Sequence, residues 1–252
     1  MDFGTEFQGR KVVITGAAGI MGRALAEHFV QAGAEVCSTD LSTQGLSGFA
    51  VAADLMTDVG NDALLNAVAT RWGAPDVVVN NAAIYPSSFL LDMDVSDWDQ
   101  IMALNLRAPF VLMRGFAHQM IRAGQGGAFI NISSGAARKM RRTAVTYCMS
   151  KSALDRMTKG FALELAEYGI RVNCLEPGFA AGSSVSALSQ EHIDRVMAAI
   201  PLGTETAPED IGQAALFLAS SAAKNITGTS LAVDGGNSAG SMDVYQPKKS
   251  AL

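Results

Sequence analysis

Two groups of residues in this chain could do chemistry. One is a hydroxyl, a phenol and an ammonium: Ser134, then Tyr147 thirteen residues on, then Lys151 four after that. Residues four apart share a helix face, so the phenol and the ammonium would lie side by side. The other group is the stretch ITGAAGIMGRAL with its three glycines, Gly16, Gly19 and Gly22, followed downstream by Asp40. Such glycines let the backbone turn tightly and approach a pyrophosphate, whose charge the N–H groups of a helix N-terminus then bind. Asp40 stands where a carboxylate can accept hydrogen bonds from a ribose diol and repel a 2′-phosphate. Leu41 follows it, so no arginine is adjacent to attract that phosphate, and NAD is expected over NADP.

These groups need a scaffold, and the sequence supplies one by alternation. KVVIT (11–15), AEVCST (34–39), FAVAAD (49–54), DVVVN (76–80), AFINIS (128–133), RVNCLE (171–176) and SLAVD (230–234) are short apolar runs. Consecutive rather than alternate apolar residues predict strands covered on both faces. Between them lie helical patterns such as 22–33 and 147–169, with Gly33 and Gly169 where helix C-termini favour glycine. Strand–helix repetition with right-handed crossovers predicts an α/β, doubly wound Rossmann fold: a seven-stranded, mostly parallel sheet with helices on both faces. No linker or composition break divides the chain, so residues 1–252 are expected to form a single dinucleotide-binding domain.

In this order the motifs resemble those of the short-chain dehydrogenase/reductase family, in its compact single-domain branch, from about residue 9 to 236. TGAAGIMG is similar to the family's cofactor turn, AADL carries Asp54 at its adenine-contacting position, and NNAA (80–83) is similar to its Asn-Asn-Ala-Gly segment. Asn105 in ALNL matches its helix asparagine, and NCLEPG and VDGG complete the series. The resemblance implies that Tyr147 is the general base or acid and that Ser134 orients the reacting oxygen. It also implies that Lys151 holds the nicotinamide ribose and helps lower the phenol pKa, and that Asn105 fixes a water leading to Lys151. Cofactor contacts are implied at Gly16, Gly19, Ile20, Met21 and Gly22 in the turn and at Asp40, Leu41, Asp54 and Leu55 after the next strands. Others are implied at Asn81, Ala82, Pro177 and Ala180, besides Tyr147 and Lys151. No metal is expected. The family commonly forms tetramers through its fourth and fifth helices, so segments 96–122 and 147–168 imply a homotetramer.

The chain departs from the family pattern in places. Ile20 stands where the compact branch has its second glycine, so the spacing Gly-x-x-Gly-x-x-Gly looks like that of the longer branch. Ala83 replaces a glycine, and Gly182 replaces a cofactor-contacting threonine for which the Ala180 backbone or Ser183 could compensate. Glu176 is unusual before Pro177; it is salt-bridged to a nearby cation or borders the substrate. Arg138, Lys139, Arg141 and Arg142 fall between the serine and the tyrosine. They form either a solvated loop, paired or not with a neighbouring subunit, or a rim in which Arg138 and Arg141 bind an anionic group. Tyr85, Ser87 and Ser88 offer further hydroxyls, and 182–203 would form a lid.

The chain is 49% hydrophobic and 17% charged, enough to bury a core, with a net charge of −5 that argues against nucleic acid. No apolar run approaches a membrane span, no leader pattern opens the chain, and three scattered cysteines suit a reducing compartment. A cytoplasmic enzyme with no membrane partner is expected, with Cys148 an outside candidate for a reactive thiol. The expected activity is NAD-dependent oxidation of a secondary alcohol or hemiacetal in a small polyhydroxylated substrate, such as a sugar, sugar acid or sulfonated sugar. The alternatives are a carbonyl or 3-oxoacyl reductase and, more remotely, a non-catalytic nucleotide-binding protein.

Overall fold

The computed structural model describes residues 3–180 and 189–242. Its strands are β1 (Lys11–Thr15), β2 (Glu35–Asp40), β3 (Phe49–Ala52), β4 (Val77–Asn80), β5 (Gly127–Ile132), β6 (Ile170–Pro177) and β7 (Ser230–Val233). Its helices are α1 (Ile20–Gln31), α2 (Asp58–Trp72), α3 (Val95–Met102), α4 (Ala108–Arg122), α5 (Val145–Leu165), α6 (Gln190–Ala198) and α7 (Pro208–Ala219). The strands form one sheet in the order β3-β2-β1-β4-β5-β6-β7, and all its pairings are parallel.

Successive strand residues face opposite ways, and here both ways are apolar. Val12, Ile14, Val77, Val79 and Ile130 pack against Leu25 and Phe29 of α1 and Ile211 and Ala215 of α7. Val13, Val78, Phe129 and Val172 pack on the other side, against Leu64 of α2, Leu112 and Phe116 of α4 and Ala162 of α5. Each such large side chain contributes about 1.5–3 kcal/mol by leaving water. Gly33 (φ +96°) and Gly169 (φ +67°) close their helical segments in the conformation expected of them.

Two irregularities matter for the site. Between α3 and α4 the chain widens into a π-turn over Ala103–Arg107, which contains the buried Asn105. A polar ladder also crosses the second core: Asn80 Nδ2 donates to Asn131 Oδ1 (2.8 Å), and Asn131 Nδ2 donates to Thr158 Oγ1 (2.8 Å). These directional bonds tie α5 to β4 and β5 in one register. Strand order reverses between β1 and β4, and a crevice opens at their C-terminal ends.

Candidate active site

The crevice is shaped by close backbone approach. A Cβ on Gly16 (φ +63°) would lie 2.8 Å from Ala82 Cα, and one on Gly22 would lie 2.0 Å from Gly16 O. Gly19 is different: a Cβ there would meet Gly16 O at an ordinary 3.4 Å. The shifted middle glycine is therefore not demanded by packing, and Ile20, 47% exposed, opens α1 beside a half-buried Met21. Gly19 caps α1 with no side-chain hydrogen bond, which leaves first-turn N–H groups for an anion. Asp40 ends β2 with Oδ2 accepting from Ala18 N (2.9 Å) and Oδ1 from Leu41 N (2.8 Å). Its remaining lone pairs can accept from a diol. These residues fit a dinucleotide.

Thr15 was not singled out by sequence. Its hydroxyl accepts from Asn81 N (2.9 Å) and Ala82 N (3.0 Å), while Asn81 Nδ2 donates to Thr15 O (2.9 Å) and Gly16 O (3.1 Å). Asn81 thus clamps the turn across the crevice. The available signal was a hydroxyl ending an otherwise apolar strand just before the glycine turn. Arg23, also missed, lays its Nε on Ala18 O at 2.8 Å. Asp54 is exposed and accepts from Met56 N (3.0 Å), with Leu55 buried beside it. Pro177 ends β6 and Ala180 lies three residues beyond it, whereas Gly182, Ser183 and the first part of the expected lid lie outside the described residues. The remainder of that segment contains α6.

Ser134, Tyr147, Lys151 and Asn105 come together at the same end of the sheet. Ser134 follows β5, accepts from Ala136 N (3.1 Å) and stands within hydrogen-bonding reach of the Tyr147 phenol. Burial raises the Tyr147 pKa, while the Ser134 bond and the positive charge of Arg141 pull it down. Lys151 is buried, donates to Ile132 O at 2.8 Å and lies 5.8 Å from the Tyr147 ring centroid. Burial lowers its pKa to about 8. Arg141 is thus a second cation near the phenol, beside the Lys151 ammonium that lies over the same ring. Asn105 receives Ile84 N on Oδ1 (2.9 Å) and donates from Nδ2 to Ile84 O (2.8 Å) and Ser150 Oγ (3.2 Å). Its side chain is engaged by protein, so its contact with a water would come from the π-turn backbone. Tyr85 packs its ring 5.7 Å from that of Tyr147.

A family model described as enoyl-(acyl carrier protein) reductase matches residues 16–238, the span that holds all of these features except Thr15. The chain belongs to the short-chain dehydrogenase/reductase family. It is 31% identical over 252 residues to sorbitol dehydrogenase of Cereibacter sphaeroides, covering 92% of this chain and 98% of that one. It is 32% identical over 243 residues to a 3-oxoacyl-(acyl-carrier-protein) reductase of Thermotoga maritima, with coverage of 92% and 98%. A Beutenbergia cavernae structure described as a candidate NAD(P)-dependent gluconate 5-dehydrogenase, with bound NADP at low occupancy, superposes with a TM-score of 0.87. That pair shares 33% identity over 94% of this chain and 99% of the other. As a short-chain dehydrogenase/reductase the chain is an oxidoreductase of CH–OH groups that uses a nicotinamide cofactor.

In this short-chain dehydrogenase/reductase the four cations part company. Arg138 Nε donates to Glu176 Oε2 at 2.6 Å and its Nη2 to Ser230 O at 3.3 Å. Of the two readings of Glu176, the structure shows the salt bridge. Lys139 Nζ reaches Asn237 O (3.4 Å) and Oδ1 (3.3 Å), and Arg142 lies over the Phe89 ring at 5.5 Å. Thr143, at φ +64°, takes Ser88 N on its carbonyl (2.8 Å) and Ser87 Oγ on its own Oγ1 (2.8 Å). Those two serines therefore brace the rim. Among the described residues the Arg141 side chain makes no hydrogen bond or ion pair, and its charge acts on Tyr147. Of the two arginines expected to bind an anion, Arg138 is engaged by Glu176, while the Arg141 side chain has no such partner among the described residues.

Proposed function

We propose that this enzyme oxidises a secondary hydroxyl or hemiacetal carbon of a small polyhydroxylated substrate carrying an anionic group, with NAD as acceptor. The observation that carries the reading is Arg141, an exposed guanidinium on the active-site rim whose charge is felt at Tyr147. A planar guanidinium suits a carboxylate, sulfonate or phosphate. A polyol dehydrogenase among the relatives, and a structural neighbour named for gluconate, support this substrate class. Asp40 supports NAD, since its carboxylate faces the turn where a 2′-phosphate would be repelled.

When bound, a nicotinamide ring accepts the hydride. The protein's part is proton handling and orientation. Tyr147 as phenolate takes the hydroxyl proton while Ser134 donates to the same oxygen, and Lys151 anchors the ribose beneath them. The alternative, a 3-oxoacyl reductase running toward the alcohol, is favoured by several relatives of that name and by the Arg23 guanidinium on the cofactor turn.

The test is NADH or NADPH formation from neutral polyols paired with their carboxylated or sulfonated counterparts, sorbitol with gluconate among them. Acetoacetyl thioester reduction is run in parallel. Turnover of the anionic members with NAD, with a KM raised about tenfold or more in Arg141→Ala, is expected. Equal turnover of neutral members with an unchanged variant, or thioester reduction alone, overturns the substrate class.

A further inference from the structure

Glu176 is fully buried, its second carboxylate oxygen has no protein donor, and no step of the reaction uses it. Its ion pair with Arg138, whose side chain is 44% exposed, is a weak source of stability. The position of that carboxylate is more informative. Arg138, its partner, lies four residues after Ser134, at the end of the short turn that Ser134 caps. On its other side the Glu176 carboxyl meets that of Asp155, which lies one helical turn beyond Lys151. Asp155 Oδ1 accepts from Ser133 Oγ at 2.5 Å, and its Oδ2 accepts from Ser230 Oγ at 3.3 Å. Ser133 and Arg138 therefore bracket Ser134 along the chain, and both run to one carboxyl pair. That pair is carried by the helix of Tyr147 and Lys151 and by the strand leading into Pro177. Two carboxyls can bond each other only by sharing a proton, and burial accordingly pushes the Glu176 pKa up to about 7.

We propose that Glu176, held between Arg138 and Asp155, is a positioning residue that sets the hydroxyl of Ser134 against the phenol of Tyr147. The proposal rests on the reading of Ser134 and Tyr147 given above. It makes the rim arginine an internal strut, with Glu176 acting through Ser134 and not on substrate.

The experiment follows the ionisation of Tyr147 in the whole enzyme without substrate. Protein labelled with 13C at the tyrosine Cζ is titrated by NMR, and the Tyr147 signal is assigned by its loss in Tyr147→Phe. Ser134→Ala is expected to raise the Tyr147 midpoint by about one pH unit, because it removes a bond that favours the phenolate. Glu176→Leu is expected to raise it similarly, although removing a negative charge would by itself lower it. Glu176→Gln can still accept from Arg138 and donate to Asp155, and since it too removes the negative charge its midpoint is expected at or slightly below the wild-type value, well below that of Glu176→Leu. In Ser134→Ala/Glu176→Leu the two effects should not add. A midpoint unchanged or lowered in Glu176→Leu, or an additive double variant, overturns the proposal. If Glu176→Leu does not fold, Arg138→Met takes its place in the same cycle, and additivity there is equally decisive against it. An unchanged midpoint in Ser134→Ala instead sinks the pairing of Ser134 with Tyr147, and the strut with it.

Discussion

The phenol of Tyr147 is the group on which most of the site's electrostatics converge. Burial works against its phenolate, and Ser134 and Arg141 work for it. Tyr147→Phe should lower kcat by about 10²–10⁴-fold with cofactor affinity little changed, read from steady-state rates and NADH fluorescence. Arg141→Ala removes one of the two favourable influences. The rising limb of its oxidation pH profile should therefore lie at higher pH than in the wild type, even with a neutral substrate. A limb in the wild-type place would mean that Arg141 does not act on the phenol. That rim was only half legible in the sequence. Four charges in a row carry no hint of which one finds a carboxylate, because Glu176 lies in a strand 38 residues further on. The candidate catalytic residues, which the structure brings together, were legible because helical spacing and an ordered motif series fix them locally.

At the scale of elements, the turn between β1 and α1 shows which glycines the fold requires. With Gly16 O only 2.0 Å from where a Cβ would sit, Gly22→Ala must push α1 away from the turn. NADH binding should weaken about tenfold or more, whereas Gly19→Ala, with ordinary contacts, should bind nearly as well as the wild type. Fluorescence titration of the two variants separates them, and equal losses would contradict the geometry. Motif matching gave the three glycines equal weight, since it sees spacing and not the distance to the next backbone. The strands were easily read for a related reason. Residues such as Val12, Val13 and Ile14 are apolar in succession because the sheet is covered on both sides, so their pattern reports the architecture directly. The π-turn around Asn105 was not foreseeable, because one extra residue in a helical turn leaves the apolar periodicity almost intact.

The whole molecule couples charge to stability through the Glu176–Asp155 pair. A carboxyl whose pKa rises from 4.5 to about 7 on folding keeps a proton that the unfolded chain releases. Its stabilisation is complete below the lower value and is lost as pH climbs through the upper one. The wild-type Tm should thus fall relative to that of Glu176→Gln between about pH 5 and 8, as calorimetry would show. Parallel curves would mean that Glu176 takes up no such proton on folding. The outer faces of α4 and α5 expose Phe110, Met149 and Leu163, in keeping with a proposed homotetramer. Phe110→Asp should then shift sedimentation toward smaller species. Finally, all three thiols of the chain, Cys37, Cys148 and Cys174, are buried, and burial pushes Cys37 up to about 12 and raises Cys174 as well. The native enzyme should accordingly be silent to maleimide dyes. A cysteine placed at the exposed Met140, between the committed cations and Arg141, would be the single attachment point for a fluorophore. The protein arrives ready for optical observation of its own rim, with no native cysteine to remove first.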